Sequence, residues 1–386
     1  MTLLEDLAVV ELPEEPAQRS GMAPTQRLRR ARPRSARHLL LEYVDHQGRP
    51  VAGQWFADRS RLRRVGRETA RPGAAGALVV ELDDPGVLLQ GGGADRKLKA
   101  LAGLVLNPAN CLVAHRPERR AVVALSEGDG MRYAKVVRPD RVAGLAEAAR
   151  RLAAVGAFAT PGLISSVARD GVTIWSRLPG RSLYELLGSD ALVPAAQAAG
   201  AALRVFHAAV IDGLPLHSAA SERKVISGWL QYLEAYDPRC ANQLRGAAQT
   251  VDAMLDGLGS GPAVPLHRDC YDKHILACAD DAVGLLDFDT LAAGDPALDL
   301  ANVLVHFELR ALQGRCMPGQ AQAAAGALVA GYRPDRNLRS RLAAYAAATR
   351  LRLACVYRFR PDGRHLPQAL TDQLTSPPLG VAAAPA

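Results

Sequence analysis

The sequence predicts an α+β protein with two lobes, a small antiparallel β lobe followed by a larger, mainly helical lobe. Three β-like runs joined by short turns, one helix and two further strands fill residues 111–180. Segments with helical spacing of apolar residues then dominate from residue 182 to residue 357. A loop-rich stretch with many aspartates, residues 265–299, interrupts these helices. This layout predicts a ligand site in the cleft between the lobes.

The composition limits the class of protein. The chain has 386 residues, of which 49 % are hydrophobic, so a large core can be buried and global disorder is excluded. Its 47 Lys and Arg residues exceed its 39 Asp and Glu residues, which raises nucleic acid as a partner before any motif is considered. Almost all of this basic excess is arginine, which makes each lysine conspicuous.

The first 37 residues form a strongly charged segment. Residues 1–16 carry acidic residues and no basic ones, and residues 27–37 carry six arginines and no acid. Several prolines and the lack of apolar periodicity predict a disordered tail over residues 1–37. A solvated tail is the favoured interpretation and an arm that binds nucleic acid or another partner is the lesser one, so nucleic acid is not the expected partner.

Targeting signals and metal-binding cysteine patterns are missing from the sequence. The acidic start has neither a positive nor an apolar signal region, and no run approaches the roughly 18 apolar residues of a membrane helix. The six cysteines show no C-x-x-C pair and no zinc spacing. We therefore expect a cytoplasmic protein with reduced thiols and no membrane partner. The oligomeric state stays open.

The expected elements follow in chain order. Residues 38–110 are expected to extend the small lobe and to begin with a hairpin over residues 39–56. The small lobe is predicted over residues 111–180, with its helix at residues 140–155, and the large lobe over residues 181–365. Residues 366–386 are expected to be a flexible tail. The predicted large-lobe helices cover residues 182–188, 194–210, 221–235, 241–257, 299–312, 320–331 and 337–357.

The aspartate-rich stretch carries the residues of greatest chemical interest. Asp269 lies in a His-Arg-Asp run, and His274 follows five residues later. An apolar run then ends just before Asp287, which puts that carboxylate at a strand tip. The short turn between the two segments predicts a hairpin, so Asp269, His274 and Asp287 are expected to be neighbours. Asp289 is either a further metal ligand or a solvated carboxylate.

Such a set of residues suits phosphoryl transfer, which depends on positioning and charge neutralisation. One carboxylate can orient the attacking hydroxyl, and a second can hold Mg²⁺ with a ligand from the loop. Lys135 lies in the middle of the strand MRYAKVV, where it can hold nucleotide phosphates, and Glu147 on the next helix can pair with it. The structural alternatives are a turn-capping aspartate, a hydrogen-bonded histidine, a surface lysine and a solvated glutamate.

At these residues the chain resembles the aminoglycoside phosphotransferase/choline kinase-like family, which has a protein-kinase-like fold. The family's catalytic loop, H-x-D-x(4)-N, aligns with His267, Asp269 and His274, and its metal-binding segment aligns with LLDFD at Asp287. The run from Asp295 to Leu300 resembles the family's D-P-x-x-D-L segment, in which Asp299 would brace the catalytic loop. The resemblance covers residues 111–310 and implies a bilobal kinase-like fold.

The resemblance also implies the reaction and its cofactors. It predicts transfer of the γ-phosphate of ATP, with Mg²⁺ or Mn²⁺, to a hydroxyl of a small molecule. Asp269 would be the catalytic base, and Arg268 would either neutralise a negative group or form a surface ion pair. The implied adenine-binding segment is Ser176, Arg177 and Leu178, and the implied structural residues are His267, Asp295 and Asp299.

Two departures from the family pattern leave an alternative open. His274 stands where the family has asparagine, and Mg²⁺ prefers oxygen ligands to imidazole. The turn between the first two strands of the small lobe is R-P-E-R-R, residues 116–120, rather than a glycine-rich loop. A catalytically impaired pseudokinase that binds nucleotide or regulates a partner is therefore the alternative. Arginines on the large-lobe helices argue for a neutral or acidic acceptor rather than a polycation.

Overall fold

Antiparallel sheets occupy most of the first 180 residues, and helices dominate the rest of the chain. The computed structural model describes residues 3–20, 22–70, 78–127 and 130–381. The predicted α+β class, with an antiparallel β lobe and a larger helical lobe, is confirmed. Within the described residues, every helix is too short or too polar to cross a bilayer.

The first sheet is built from residues that precede the predicted small lobe. Its six strands run in the order β1-β2-β3-β4-β6-β5. The strands and helices of this region are α1 (Leu3–Asp6), β1 (Val9–Glu11), α2 (Glu14–Ser20), β2 (Thr25–Ser35), β3 (His38–Val44), β4 (Pro50–Phe56), α3 (Arg59–Thr69), β5 (Leu78–Leu82), β6 (Val87–Gly91) and α4 (Leu101–Leu106). The predicted hairpin is confirmed as the antiparallel pair β3–β4.

The prediction of a disordered tail over residues 1–37 is wrong for the residues that are described. Strand β2 pairs with both β1 and β3, and its Leu28 and Ala31 are buried. Five of the eleven residues of β2 are arginines, so charge obscured the period-two pattern that identifies a strand. Residues 1, 2 and 21 lie outside the described part of the chain.

The first sheet also docks onto the large lobe. The hydroxyl of Tyr236 donates to the carbonyl oxygen of Ser35 at 2.7 Å and accepts from the amide of His38 at 3.0 Å. The amide of Ala31 donates to the carbonyl oxygen of Phe359 at 2.9 Å. These bonds satisfy backbone groups that pairing within the sheet leaves free. They bring β2 to the mouth of the cleft.

The second sheet forms the predicted small lobe. Its order is β10-β11-β9-β8-β7, and Lys135 lies opposite Val122 on one side and Thr173 on the other. Helix α5 buries Leu152 and ends at Gly156, whose φ of 68° favours glycine. The elements are β7 (Cys111–Arg116), β8 (Arg120–Glu127), β9 (Gly130–Val137), α5 (Val142–Val155), β10 (Leu163–Val167) and β11 (Val172–Ser176).

The large lobe packs around helix α9, which is buried from Ala297 to Arg310. Two helices of this lobe begin at polar caps, which are Ser218 before α7 and Asp335 before α11. The helices are α6 (Leu192–Ala208), α7 (Ala219–Tyr236), α8 (Pro238–Asp256), α9 (Ala297–Leu312), α10 (Pro318–Tyr332), α11 (Arg336–Arg358) and α12 (Leu366–Asp372). The short strands are β12 (Arg181–Ser182), β13 (Leu216–His217), β14 (Val264–Leu266), β15 (Ile275–Ala277), β16 (Val283–Leu285) and β17 (Ala292–Gly294).

Two further predictions in this lobe are corrected. Residues 182–188 are not a helix, because Ser182 belongs to strand β12 and turns follow it. The C-terminal segment is not a flexible tail as far as residue 381, because α12 buries Leu366 and Leu370. The buried Arg350 also donates to the carbonyl oxygen of Ser376 at 2.7 Å, which anchors the chain beyond α12.

Candidate active site

A tight hairpin gathers the predicted site residues of the large lobe. Strands β15 and β16 pair antiparallel, and the amide of Leu286 donates to the carbonyl oxygen of His274 at 2.9 Å. This pairing sets the loop before β15 beside the segment after β16. As a result, ligand atoms of Asp269, His274 and Asp287 lie within 4.8 Å of one another. The structure thus brings together the three residues that the sequence predicts as neighbours.

Asp299, in the first turn of α9, holds the backbone of the loop that carries Asp269. Its fully buried carboxylate accepts from the amides of His267 and Arg268, each at 2.7 Å. Burial raises the pKa of this carboxyl, but the hydrogen bond from His207 and the nearby His267 outweigh burial and lower the pKa overall. The ionised carboxylate is therefore the stable acceptor for both amides.

The same loop is fixed by further contacts from the chain around it. The His267 ring donates through Nε2 to the carbonyl oxygen of Leu286 at 2.8 Å, and burial lowers the pKa of that ring. The hydroxyl of Thr290 donates to the carbonyl oxygen of His267 at 2.7 Å. Asp295, predicted as a structural residue, forms an ion pair with Arg341.

Two cations from the small lobe reach the carboxylates of the large lobe. The Nζ atom of Lys135 lies 3.2 Å from Oδ1 of Asp287 and also pairs with Asp289. The Nη1 atom of Arg120 lies 2.9 Å from Oδ2 of Asp287 and 2.8 Å from Oδ2 of Asp289. Burial raises the pKa of Asp287, but Lys135 and Arg120 together more than cancel that effect and hold the pKa well below its ordinary value.

Glu147 is not the partner of Lys135, contrary to prediction. Its Oε1 atom accepts from Nε of Arg151 at 2.6 Å, and it also pairs with Arg150. These arginines lie one helical turn away on α5, where side chains of opposite charge meet. Lys135 finds its negative partners in Asp287 and Asp289 instead.

The sequence did not identify the residues that fix the position of Arg120. Glu118, in the turn between β7 and β8, pairs with Arg96 at 2.8 Å and with Lys97 at 3.0 Å. The amide of Glu118 also donates to the carboxylate of Asp95 at 2.7 Å. Residues that precede the small lobe thus anchor the turn. The one acidic residue in R-P-E-R-R, Glu118, was the feature of the sequence that could have indicated this anchoring.

Two cavities meet at the carboxylates of Asp287 and Asp289. The first, of about 470 Å³, extends between the lobes towards Ser176, Arg177 and Leu178, the predicted adenine-binding segment. The second, of about 620 Å³, lies on the side of Asp269 and receives residues from β2 and from both lobes. Side chains that line the first cavity include Val122, Lys135, Leu152, Trp175, Leu276 and Leu286.

The donor set around Asp287 fits a divalent cation. His274 donates through Nδ1 to the carbonyl oxygen of Asp269 at 2.8 Å, which leaves Nε2 with a free lone pair for a cation. The carboxylate of Asp287 and the imidazole of His274 suit Mn²⁺ as well as Mg²⁺. Asp289, predicted as a metal ligand, lies outside this cluster and contacts Lys135 and Arg120.

Arg268 and Cys270 flank Asp269 in different environments. Arg268 adopts a left-handed backbone conformation with a φ of 66°, and its side chain lines the second cavity. Cys270 is fully buried, and burial raises the pKa of its thiol well above the ordinary value. A nucleophilic thiolate is therefore not available beside Asp269.

Comparison with known proteins gives one match to a family and many to solved structures. A sequence model described as the phosphotransferase enzyme family matches residues 111–345. No curated protein sequence matches the chain. An ethanolamine kinase from Plasmodium vivax superposes with a TM-score of 0.51 at 11 % identity, covering 71 % of this chain and 85 % of that one.

Two other solved structures are similar over comparable lengths. A macrolide 2'-phosphotransferase from Brachybacterium faecium has a TM-score of 0.45 and 21 % identity, covering 70 % of this chain and 93 % of that one. A choline/ethanolamine kinase family protein from Mesorhizobium loti has a TM-score of 0.49 and 17 % identity, covering 72 % and 91 %.

Proposed function

The chain belongs to the phosphotransferase enzyme family, and from that membership we propose that it transfers the γ-phosphate of ATP to a hydroxyl group of a small molecule. The observation that carries this proposal is the convergence of Asp269, His274 and Asp287 opposite Lys135 in the cleft. This arrangement supplies a base, two cation ligands and a phosphate-binding ammonium within one site.

The first cavity is the proposed nucleotide site. Its far end, at Ser176 to Leu178, offers backbone groups for adenine, and its near end carries Lys135 and Arg120. The turn between β7 and β8, within residues 116–120, carries arginines rather than glycines, so we assign the role of covering the phosphates to the guanidinium of Arg120. A planar guanidinium can bind phosphate oxygens through two parallel hydrogen bonds.

Asp287 and His274 are the proposed ligands of Mg²⁺ or Mn²⁺, together with phosphate oxygens of the nucleotide. A bound cation would neutralise charge on the phosphates and orient the γ-phosphoryl group for attack. Asp289 keeps Lys135 and Arg120 in place beside this site in the absence of nucleotide.

Asp269 is the proposed base. The acceptor oxygen forms a bond to the γ-phosphorus while the bond from that phosphorus to the bridging oxygen breaks, and ADP leaves with the electron pair. The hydroxyl proton passes to the Asp269 carboxylate, which is half exposed and faces the second cavity. Asp299 positions Asp269 through the backbone of the loop and touches no reacting atom.

A substitution at Asp269 tests the proposal. Asp269→Asn should lower ATP turnover by about a hundredfold or more, because general-base catalysis contributes on that order. The variant should keep the thermal stabilisation that ADP with Mn²⁺ gives to the wild type. Asp280→Asn is the matched control, since Asp280 is exposed in the β15–β16 turn and Asn tolerates its positive φ. Full turnover by the Asp269 variant would overturn the proposed role.

A pseudokinase is the alternative, and one observation favours it. Arg120 and Lys135 already neutralise Asp287, so a cation has to compete with them for its ligand. A protein that stays in this state would bind nucleotide weakly without metal and turn over no ATP. Titration with ATP and either metal, followed by assay of ADP release, separates the two functions.

We also propose a cytoplasmic location, where ATP is available and the free cysteines stay reduced.

A further inference from the structure

The second cavity, on the acceptor side of Asp269, is strongly cationic. Nine arginines line it, against the four carboxylates of Glu222, Asp269, Asp287 and Asp289. Three of these carboxylates have partners within the chain: Glu222 bonds to His217 at 2.9 Å, and the other two pair with Arg120 and Lys135. The excess of positive charge is therefore not balanced by the acidic residues in its lining.

The arginines that matter most have no anionic partner. Arg32 and Arg34 of β2, Arg116 of β7 and Arg268 of the catalytic loop make no side-chain hydrogen bond or ion pair with the described residues. The Nε atom of Arg268 is buried and lacks an acceptor. Burial and the nearby Arg116 and Arg30 lower the pKa of Arg32 far below that of an ordinary arginine. Desolvated guanidinium groups facing one another are unfavourable unless an anion joins them.

Binding of the nucleotide does not account for this charge. Among the arginines of the second cavity, only Arg120 also lines the first cavity, between the lobes. Arg32 and Arg34 come from the first sheet, and Arg268 and Arg352 come from the large lobe, on the side of the catalytic base. The phosphates of ATP would meet Arg120 and its turn, whereas the other arginines face the acceptor.

We infer that the acceptor is an anionic hydroxyl compound, with a phosphate or carboxylate group held by Arg32, Arg34 and Arg268 while its hydroxyl faces Asp269. This inference rests on the proposed function and adds the substrate class. Guanidinium groups suit both anions, because each presents paired oxygens to the planar donor fork. Leu40 and Trp229 supply an apolar wall to the same cavity, which fits the carbon skeleton of such a compound. The first sheet then contributes part of the acceptor site.

The test compares acceptors that share a skeleton and differ in charge. Glucose 6-phosphate, gluconate, glucose and glucosamine are assayed for ADP release and for thermal stabilisation with ADP and Mn²⁺ present, followed by a hydroxylated-metabolite library sorted by charge. We expect the anionic compounds to be bound and phosphorylated in preference to neutral and cationic ones. The two anionic probes distinguish a phosphate from a carboxylate requirement. A best acceptor that is neutral or cationic, or no advantage of the anionic class, would overturn the inference.

Variants on two elements complete the test. Arg32→Gln and Arg268→Gln should each weaken the best anionic acceptor by about tenfold or more, the effect of losing one charge-assisted contact. Arg27→Gln is the matched control, because Arg27 is exposed on the same strand and does not line the cavity. Arg32→Gln should melt at or above the wild-type temperature without ligand, since it removes a positive charge that Arg116 and Arg30 repel. Unchanged acceptor affinity in both folded variants would contradict the inference.

The outcomes separate this inference from the proposed function. Stabilisation by ADP with Mn²⁺ depends on the first cavity, and ADP release depends in addition on Asp269, so the failure of both removes the phosphotransferase. Selective binding of an anion that depends on Arg32 and Arg268 would survive such a failure. Turnover of ATP with a neutral acceptor would support the phosphotransferase and remove the anionic substrate class.

Discussion

Arg120 of the small lobe places its Nη1 atom 2.9 Å from Oδ2 of Asp287, a carboxylate of the large lobe 167 residues further along the chain. The pair joins the two lobes across the cleft at the point where a cation and the nucleotide phosphates are expected. The guanidinium of Arg120 therefore lies against the carboxylate that we propose as a cation ligand. Nucleotide binding would transfer Arg120 from carboxylate to phosphate and release Asp287 for metal.

Removal of Arg120 should strengthen metal binding and weaken nucleotide binding. In Arg120→Gln, Asp287 loses one of the two cations that form ion pairs with it, so we expect Mn²⁺ to bind the nucleotide-free protein up to about tenfold more tightly, which corresponds to about 1.4 kcal/mol. Loss of the phosphate contact should raise the Kd for ATP by a similar factor. Isothermal titration with Mn²⁺ and with ATP measures both changes.

The control for this experiment is Arg169→Gln. Arg169 belongs to the same lobe but is largely exposed, and it should alter neither affinity. A tighter ATP complex in the Arg120 variant would show that this arginine obstructs the nucleotide rather than binding it.

The charge state of Asp287 predicts a pH dependence of stability. Its pKa is lower in the folded protein than in the unfolded chain, where it is about 4. The ionised carboxylate therefore stabilises the fold fully at a pH above the unfolded-state pKa. This contribution is lost as the pH falls through the lower folded-state pKa. We expect Asp287→Asn to lower the free energy of unfolding by about 1–2 kcal/mol at neutral pH, and this deficit to shrink below about pH 4. Urea unfolding of both proteins at several pH values measures it. A deficit that stays constant with pH would contradict the assignment.

The fold was predictable where apolar residues repeat with a clear period. The hairpin of β3 and β4 and most helices of the large lobe have such a repeat, and they appear close to their predicted positions. Strand β2 lacks such a repeat. Its Arg32 and Arg34 line a polar cavity, whereas strands that pack against an apolar core carry apolar residues at such positions. A block of charged residues in a sequence is therefore compatible with either a solvated tail or a strand that lines a polar cavity.

The site was predictable where it is local in sequence. Asp269, His274 and Asp287 meet because a single hairpin of few residues joins them. The partners of Lys135 depend instead on how the lobes close, and this relationship joins residues 152 positions apart. Glu147 was the nearer candidate in sequence, but arginines one turn away on α5 satisfy it. Long-range pairing of this kind leaves no periodic signal.

His274 should set the metal preference. An imidazole favours Mn²⁺ over Mg²⁺ more than an amide oxygen does, because Mg²⁺ prefers oxygen ligands. We expect His274→Asn to shift the ratio of the two metal affinities towards Mg²⁺ by about tenfold, as read from metal titrations of ADP-dependent thermal stabilisation. His46→Asn, at an exposed position remote from the cavities, is the control. An unchanged metal ratio would remove His274 from the ligand set.

Glu118 should control nucleotide affinity through the position of the turn that leads to Arg120. Its side chain is only 7 % exposed and pairs with Arg96 and Lys97, so Glu118→Gln leaves two cations without their shared anion. We expect a loss of about 1–3 kcal/mol in stability and a KM for ATP raised several-fold, with kcat reduced much less because Asp269 is untouched. Glu68→Gln is the matched control, since Glu68 pairs with the same Arg96 from a more exposed position and should change KM little. Steady-state kinetics measures KM and kcat, and thermal melting measures the loss of stability. Equal effects of the two substitutions on KM would mean that the position of the turn does not depend on Glu118.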